Sequence, residues 1–256
     1  MTKTSAVVQG LRITHAPRAA AVLAILVAMS LVSCSDDIVC PDDTIIVAPA
    51  ITASIVESRL ADVDRTSVDV HCVSDPLPND FAVFVSGRQI DDIELVTPLA
   101  LRATLEDDEI VWQQGLDCSL RVITDVGVAT AIEPVPGAFA VESPPDITVA
   151  DTLSISWEPA NDADYYTVRC VIRSARDDSL VLERSVVGTT VSFGPDDITL
   201  PGSASGWVRA TAGPLPDGGT DGNVTGEGWG FFTVSYYDSL SLFEFSVADT
   251  AAPSVP

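Results

Sequence analysis

Cysteine and histidine are the side chains of this chain that could supply nucleophilic, redox or metal chemistry, and they are few. The 256 residues include two histidines and five cysteines, which are Cys34, Cys40, Cys72, Cys118 and Cys170. No two cysteines form a C-x-x-C pair, so neither a zinc ribbon nor a thioredoxin-type site is indicated. A catalytic Ser-His-Asp or Cys-His pair would depend on His71, because His15 lies in a leader-like segment. The alternation around His71 instead predicts an exposed strand residue on the face opposite Cys72.

The charge of the chain is strongly acidic and unevenly distributed. It carries 13 basic and 37 acidic residues, for a net charge of −24. A surface this acidic repels a polyanion, so we expect no nucleic-acid partner. Every acidic residue follows Cys34, whereas the positions before it hold only Lys3, Arg12 and Arg18 as charged residues. A short basic start before an acidic body is typical of an exported protein.

The start of the chain has the parts of an export signal. An uncharged apolar run covers 19–32, which is shorter than the roughly 20 residues that span a bilayer. Leu31-Val32-Ser33-Cys34 follows it and resembles the lipobox of bacterial lipoproteins. The resemblance implies a signal peptide at 1–33 and a membrane anchor through lipid on Cys34, followed by a polar tether at 34–44. An ordinary secretory signal followed by a chance cysteine is the alternative.

The lipobox resemblance also bears on location. It implies a protein of the bacterial cell envelope. Ser35 stands where an Asp would favour retention at the inner membrane, so we expect the outer membrane or the cell surface.

The other four cysteines could form up to two disulfides in an exported chain, with three possible connectivities. Cys72 and Cys118 both lie in alternating strand patterns of one candidate domain, and their pairing is the preferred prediction. Cys40 would then pair with Cys170. A buried free thiol at Cys170 is the alternative.

Short strand-like runs separated by turn residues predict an all-β fold with two tandem sandwiches. The first half, 45–142, resembles a bacterial immunoglobulin-like domain. In the second half, a strand ending in Trp157-Glu158-Pro159 is followed by an acidic loop and by a strand that begins at Tyr165. This order resembles a fibronectin type III domain over 143–236, with 228–234 as its last strand. Residues 237–256 are predicted to be an extra strand and a tail.

The same alternation predicts which side chains of the second half fill the space between two sheets. These core candidates are Trp157, Tyr166, Val168, Cys170, Ile172, Phe193, Val208, Ala210 and Phe232.

The longest predicted loop, 213–228, corresponds to a common recognition loop of the fibronectin type III family. Asp217, Asp221 and Asn223 offer hard oxygen ligands there, which makes them a weak calcium candidate. A plain solvated turn is the alternative, and no other cofactor is indicated.

These observations predict a non-enzymatic, membrane-anchored lipoprotein that acts as a binding or spacer module for a protein or glycan partner. One alternative is a structural subunit of an envelope assembly. Another is a hydrolase that uses carboxylates alone.

Overall fold

The computed structural model describes residues 48–60, 63–107, 112–215 and 222–249. The predicted signal peptide and tether, as well as Cys34, Cys40, Asp217 and Asp221, lie outside these ranges. Within them β-strands predominate, and the one helical element is a 3₁₀ turn at Ser239–Ser241. No helix in this part of the chain is long and apolar enough to cross a membrane. The predicted all-β fold class is confirmed.

The first sandwich is built from alternating, Val- and Ile-rich strands. They are β1 (Ala50–Leu60), β2 (Val63–Val73), β3 (Phe81–Val85), β4 (Arg88–Ile90), β5 (Asp92–Thr97), β6 (Ala100–Asp107), β7 (Asp117–Thr124) and β8 (Gly127–Pro134). One sheet has the order β1-β2-β6-β5 and the other β8-β7-β3-β4. This is the ABED and GFC arrangement of an immunoglobulin-type sandwich with one further strand, β4, at the edge. The predicted hairpin around 125–127 joins β7 to β8.

The second sandwich follows with β9 (Ile147–Thr148), β10 (Leu153–Ser156), β11 (Tyr165–Arg173), β12 (Ser179–Val186), β13 (Thr190–Phe193) and β14 (Gly202–Ala212). β10 pairs with β13 in one small sheet, while β11 lies between β12 and β14 in the other. Its core contains the predicted Trp157 and Tyr166, whose rings lie 5.3 Å apart between centroids. The Tyr166 hydroxyl accepts a hydrogen bond from the Ala160 N–H at 2.8 Å, so the buried phenol is satisfied.

The strand predicted to close the second sandwich, 228–234, pairs instead with the first sandwich. After β14 the chain forms β15 (Thr225–Gly226) and β16 (Trp229–Asp238), turns at Ser239–Ser241, and then forms β17 (Leu242–Ala248). β17, and not β16, pairs with the first half of β14 and with β9. Phe232 therefore lies in the first core rather than in the second, where the sequence placed it. Both segments alternate, and alternation cannot tell which of two strands is the neighbour.

β15 and β16 form an excursion, residues 222–238 of the described chain, that leaves the second sandwich and attaches to the first. β15 pairs with β8 at the edge of one sheet. β16 runs parallel to β1 at the edge of the other, from Trp229 opposite Ala50 to Asp238 opposite Arg59. Val224, Phe232 and Val234 thereby enter the first hydrophobic core.

β16 also joins the two sandwiches through their backbones. Its second half pairs with the end of β14, from Ala212 opposite Val234 to Ala210 opposite Tyr236. β14 thus changes partner along its length, from β17 to β16. The result is one continuous ten-stranded sheet that runs through both sandwiches. Trp207 on β14 stacks on Tyr237 of β16 with ring centroids 5.8 Å apart and adds a side-chain contact to this joint.

Gly228 and Gly230 lie where the excursion packs closely against the first sandwich. Gly230 has φ +140°, which L side chains rarely adopt, and a Cβ there would overlap the carbonyl oxygen of Ile51. A Cβ on Gly228 would lie 2.8 Å from the Cβ of Ala129 and 3.0 Å from Ile51 Cδ1. Glycine at these positions therefore allows the two backbones to pair.

We expect Gly230→Ala to lower the free energy of unfolding by about 3 kcal/mol, because it adds both an overlap with Ile51 and a strained φ. Gly115→Ala is the matched control, since Gly115 has φ +74° but open space where its Cβ would be. It should cost only about 1 kcal/mol. Urea denaturation followed by tryptophan fluorescence measures both, and equal losses would contradict the close approach.

Candidate functional site

Cys72 and Cys118 are buried free thiols, so the preferred disulfide between them was wrong. Cys72 lies opposite Ile51 near the start of β1. Cys118 lies near the other end, where its Sγ is 3.3 Å from Ser86 Oγ and Glu57 contributes to its electrostatic surroundings. Glu57 lies six positions after Ile51 along the strand, which corresponds to about 20 Å. A disulfide requires Cα atoms within about 7 Å.

Cys170 is a buried free thiol in the second core, as the alternative prediction had it. Burial raises its pKa to about 12 and the pKa values of Cys72 and Cys118 to about 11. Thiols of this kind are weak nucleophiles at neutral pH, because little thiolate is present.

His71 lies on the outer face of β2, opposite the buried Cys72, as the alternation predicted. Its Nε2 is 3.1 Å from Asp69 Oδ1. Asp69 also accepts two hydrogen bonds from Arg102 on β6, at 2.9 and 2.8 Å. Burial acts to raise the pKa of Asp69, but the hydrogen bonds and charges of Arg102 and His71 outweigh it and lower that pKa. The Asp69–Arg102 ion pair, with His71 beside it, links the two strands.

A buried polar cluster, which the sequence did not predict, lies at the end of the first core. On β1, Ile51, Ala53 and Ile55 face the core, and Glu57 continues on the same face with 1% of its surface exposed. Its Oε2 accepts a hydrogen bond from Thr66 Oγ1 at 2.6 Å. The period-two pattern of β1 is the signal that could have revealed a carboxylate on the inner face.

The carboxylate of Glu57 is only partly paired with hydrogen-bond donors. Its Oε1 lies 3.6 Å from Arg59 Nε, an ion pair in which neither atom has a hydrogen-bond partner. The Arg59 guanidinium donates instead to the Trp112 carbonyl oxygen at 3.0 Å. Burial raises the pKa of Glu57 and outweighs Thr66 and Arg59, which lower it, while Asp64 raises it further.

Tyr236 and Asp238 bring β16 into this cluster. The Tyr236 hydroxyl donates to Asp238 Oδ2 at 2.9 Å, and Arg59 lies 5.9 Å from the centre of the tyrosine ring. Burial, together with the hydrogen bond to Asp238, raises the pKa of Tyr236. The excursion thus places Tyr236 beside Arg59, which is the ion-pair partner of Glu57.

Asn223, one of the three calcium candidates, ties the excursion to the first sandwich. Its Nδ2 donates to Glu133 Oε1 at 2.6 Å and to the Phe232 carbonyl at 2.8 Å. Its Oδ1 accepts from the Phe232 N–H at 2.7 Å. Because Asp217 and Asp221 lie outside the described ranges, the calcium site stays a prediction. Among the described residues, no group of three or more His, Cys, Asp or Glu side chains could hold a metal ion.

Next to Asn223, a shallow cleft of about 360 Å³ lies between the sandwiches. Its described lining residues are Glu133, Asp164, Tyr165, Val187, Gly213, Pro214 and Leu215. Asp164 Oδ2 accepts the Gly213 N–H at 2.8 Å. Burial raises the pKa of Glu133, and the Asp164 charge adds to this effect against the Asn223 hydrogen bond. The cleft therefore presents two acidic groups, and none of its described lining residues is cationic.

Comparisons with known proteins found no matching family model and no matching curated protein. The full ectodomain of mouse nectin-like molecule 4 aligns at 12% identity and a TM-score of 0.26, covering 82% of this chain and 68% of that one. A titin fragment aligns at 12% and 0.21, with coverages of 77% and 67%. The BSP domain of a biofilm associated protein aligns at 10% and 0.19, with coverages of 80% and 67%. Similarities this low carry no functional argument, and the immunoglobulin-like fold stands on the strand order.

We expect Glu57→Gln to remove a pH-dependent destabilisation. Because the pKa of Glu57 is raised in the folded state, its contribution is most favourable below pH 4.5 and is lost as pH rises through the folded pKa. Each unit by which the folded-state pKa is raised lowers the free energy of unfolding at neutral pH by about 1.4 kcal/mol. The gain in unfolding free energy of the variant over the wild type should therefore grow between pH 4.5 and pH 7, as measured by urea denaturation.

Glu106→Gln is the matched control, because Glu106 is exposed on β6 and its substitution also removes one negative charge. Its difference from the wild type should change little across the same pH range. If the gain in unfolding free energy of Glu57→Gln is no larger at pH 7 than at pH 4.5, burial does not raise the pKa of this carboxylate.

Proposed function

We propose that this chain is a non-enzymatic lipoprotein of the bacterial cell envelope, anchored through lipid on Cys34, that holds two β-sandwiches as one rigid binding or spacing unit. The observation that carries the proposal is the continuous sheet through β14, β16 and β1. A backbone joint resists bending between domains more than a flexible linker does. The leader with Leu31-Val32-Ser33-Cys34 supports the anchor and a position at the outer membrane or cell surface.

The structure supports spacing more than recognition by the 213–228 loop. In the described part of that loop, Val224 is in the first core and Asn223 is committed to Glu133 and Phe232. This described part of the loop therefore joins the sandwiches.

The non-enzymatic part of the proposal draws on the placement of the polar side chains. His71 is held in a network with Asp69 and Arg102 on an outer sheet face. The carboxylates of Glu133 and Asp164 line an open, shallow cleft rather than an enclosed one. Carboxylate-based hydrolysis needs two such groups across a cleft that holds the substrate.

We expect Cys34→Ser to abolish lipid attachment, because the thioether forms on that sulfur, and to release the chain from membranes. Metabolic labelling with palmitate and fractionation of a bacterial host measure both effects. Cys40→Ser is the matched control, since it removes a nearby cysteine outside the lipobox, and it should leave labelling and membrane retention as in the wild type. Membrane retention of Cys34→Ser would contradict the anchor.

A further inference from the structure

Among the described residues, strand β5 is the last strand at one end of the ten-stranded sheet. It pairs with β6 on one side, and no other strand of the described chain pairs with it. Every residue of β5 is exposed, including Ile93 (36%), Leu95 (63%) and Val96 (50%). An edge strand leaves outward N–H and C=O groups unpaired and can accept another strand. Exposed apolar residues on such an edge mark it as an interaction surface.

The two faces of β5 differ in chemistry. Asp92 and Glu94 face outward, where they meet Thr104 and Arg102 of β6. Ile93 and Leu95 point to the opposite, core-facing side, and Ile93 is paired with the buried Ala103. Two exposed apolar side chains therefore lie on the core-facing side of this edge, while the other face of the same edge is acidic.

We propose that the β5 edge binds an extended segment of a partner protein in which apolar residues alternate with lysine or arginine. Added as a strand beside β5, such a segment would place its apolar residues on Ile93 and Leu95 and its basic residues on Asp92 and Glu94. Its backbone would complete the unpaired edge. The register shift between Leu95 and Thr97 limits regular pairing to the first part of the strand.

The negative charge of the β5 edge favours a basic segment over a second copy of the chain. Self-pairing of β5 would bring Asp91, Asp92 and Glu94 of two copies together. The whole chain also carries a net charge of −24, so two copies repel one another. A basic alternating segment gains from the same charges. This inference names a partner surface for the proposed binding function and depends on that function only in this respect.

Synthetic peptides test the inference on the full chain in detergent micelles. The probe is a capped octapeptide that alternates valine and lysine. A block peptide with four valines followed by four lysines has the same composition and charge without the alternation. We expect saturable binding of the alternating peptide by fluorescence anisotropy at physiological salt, at least tenfold tighter than that of the block peptide. Amide hydrogen exchange on β5 should slow when it binds.

Variants locate the binding. Leu95→Lys should weaken binding of the alternating peptide at least tenfold. Glu94→Lys, which keeps the apolar face, should weaken that binding at least fivefold. Val181→Lys is the matched control, because Val181 is also exposed, at 49%, on the opposite edge strand β12. It should bind within twofold of the wild type.

Equal binding of the two peptides, or equal loss in Leu95→Lys and Val181→Lys, would overturn the inference, because either shows unspecific attraction to an acidic protein. Self-association that Leu95→Lys abolishes would also overturn it and would assign the edge to a second copy. Lipid anchoring does not enter these measurements. The β5 site and the membrane anchor can therefore fail independently.

Discussion

The parallel pairing of β16 with β1 is the interaction on which the rest of the structure depends. It brings Phe232 and Val234 into the first core and Tyr236 beside the buried Glu57 cluster. Because the far half of β16 also pairs with β14, the same strand fixes the second sandwich to the first. Glycine at 230 allows this pairing without the overlap that a Cβ would make with the Ile51 carbonyl. The two sandwiches are therefore coupled through backbone pairing, to which the Trp207–Tyr237 stack adds a side-chain contact.

Much of the fold could be predicted from local patterns. Alternation and turn residues identified the hairpin between β7 and β8, and Trp157 with Tyr166 identified the second core. The partner of β16 could not be predicted, since period-two alternation describes a strand's faces and says nothing of its neighbours. The fibronectin type III resemblance predicts a recognition loop in the glycine-rich stretch before β16. Glycine permits flexibility, but it also permits close backbone approach.

The candidate site was less predictable than the fold. The outward placement of His71 followed from strand period alone. The Cys72–Cys118 bridge failed because two strand cysteines in one domain can lie at opposite ends of it, and spacing in sequence does not reveal the end. Glu57 could have been found from the inward period of β1. Its strain could not, because that depends on Thr66 from β2, on Arg59 and on the position of β16. The polar contacts of Glu57 and of the β5 edge thus depend on which strands lie next to them.

We expect the excursion to make the two sandwiches one cooperative unit. Differential scanning calorimetry of the Cys34→Ser chain, which should be soluble, measures this cooperativity. A shared sheet and a shared strand predict a single transition in which the calorimetric and van't Hoff enthalpies agree. Two separate transitions, or a calorimetric enthalpy about twice the van't Hoff value, would show that the sandwiches unfold independently and would contradict the account.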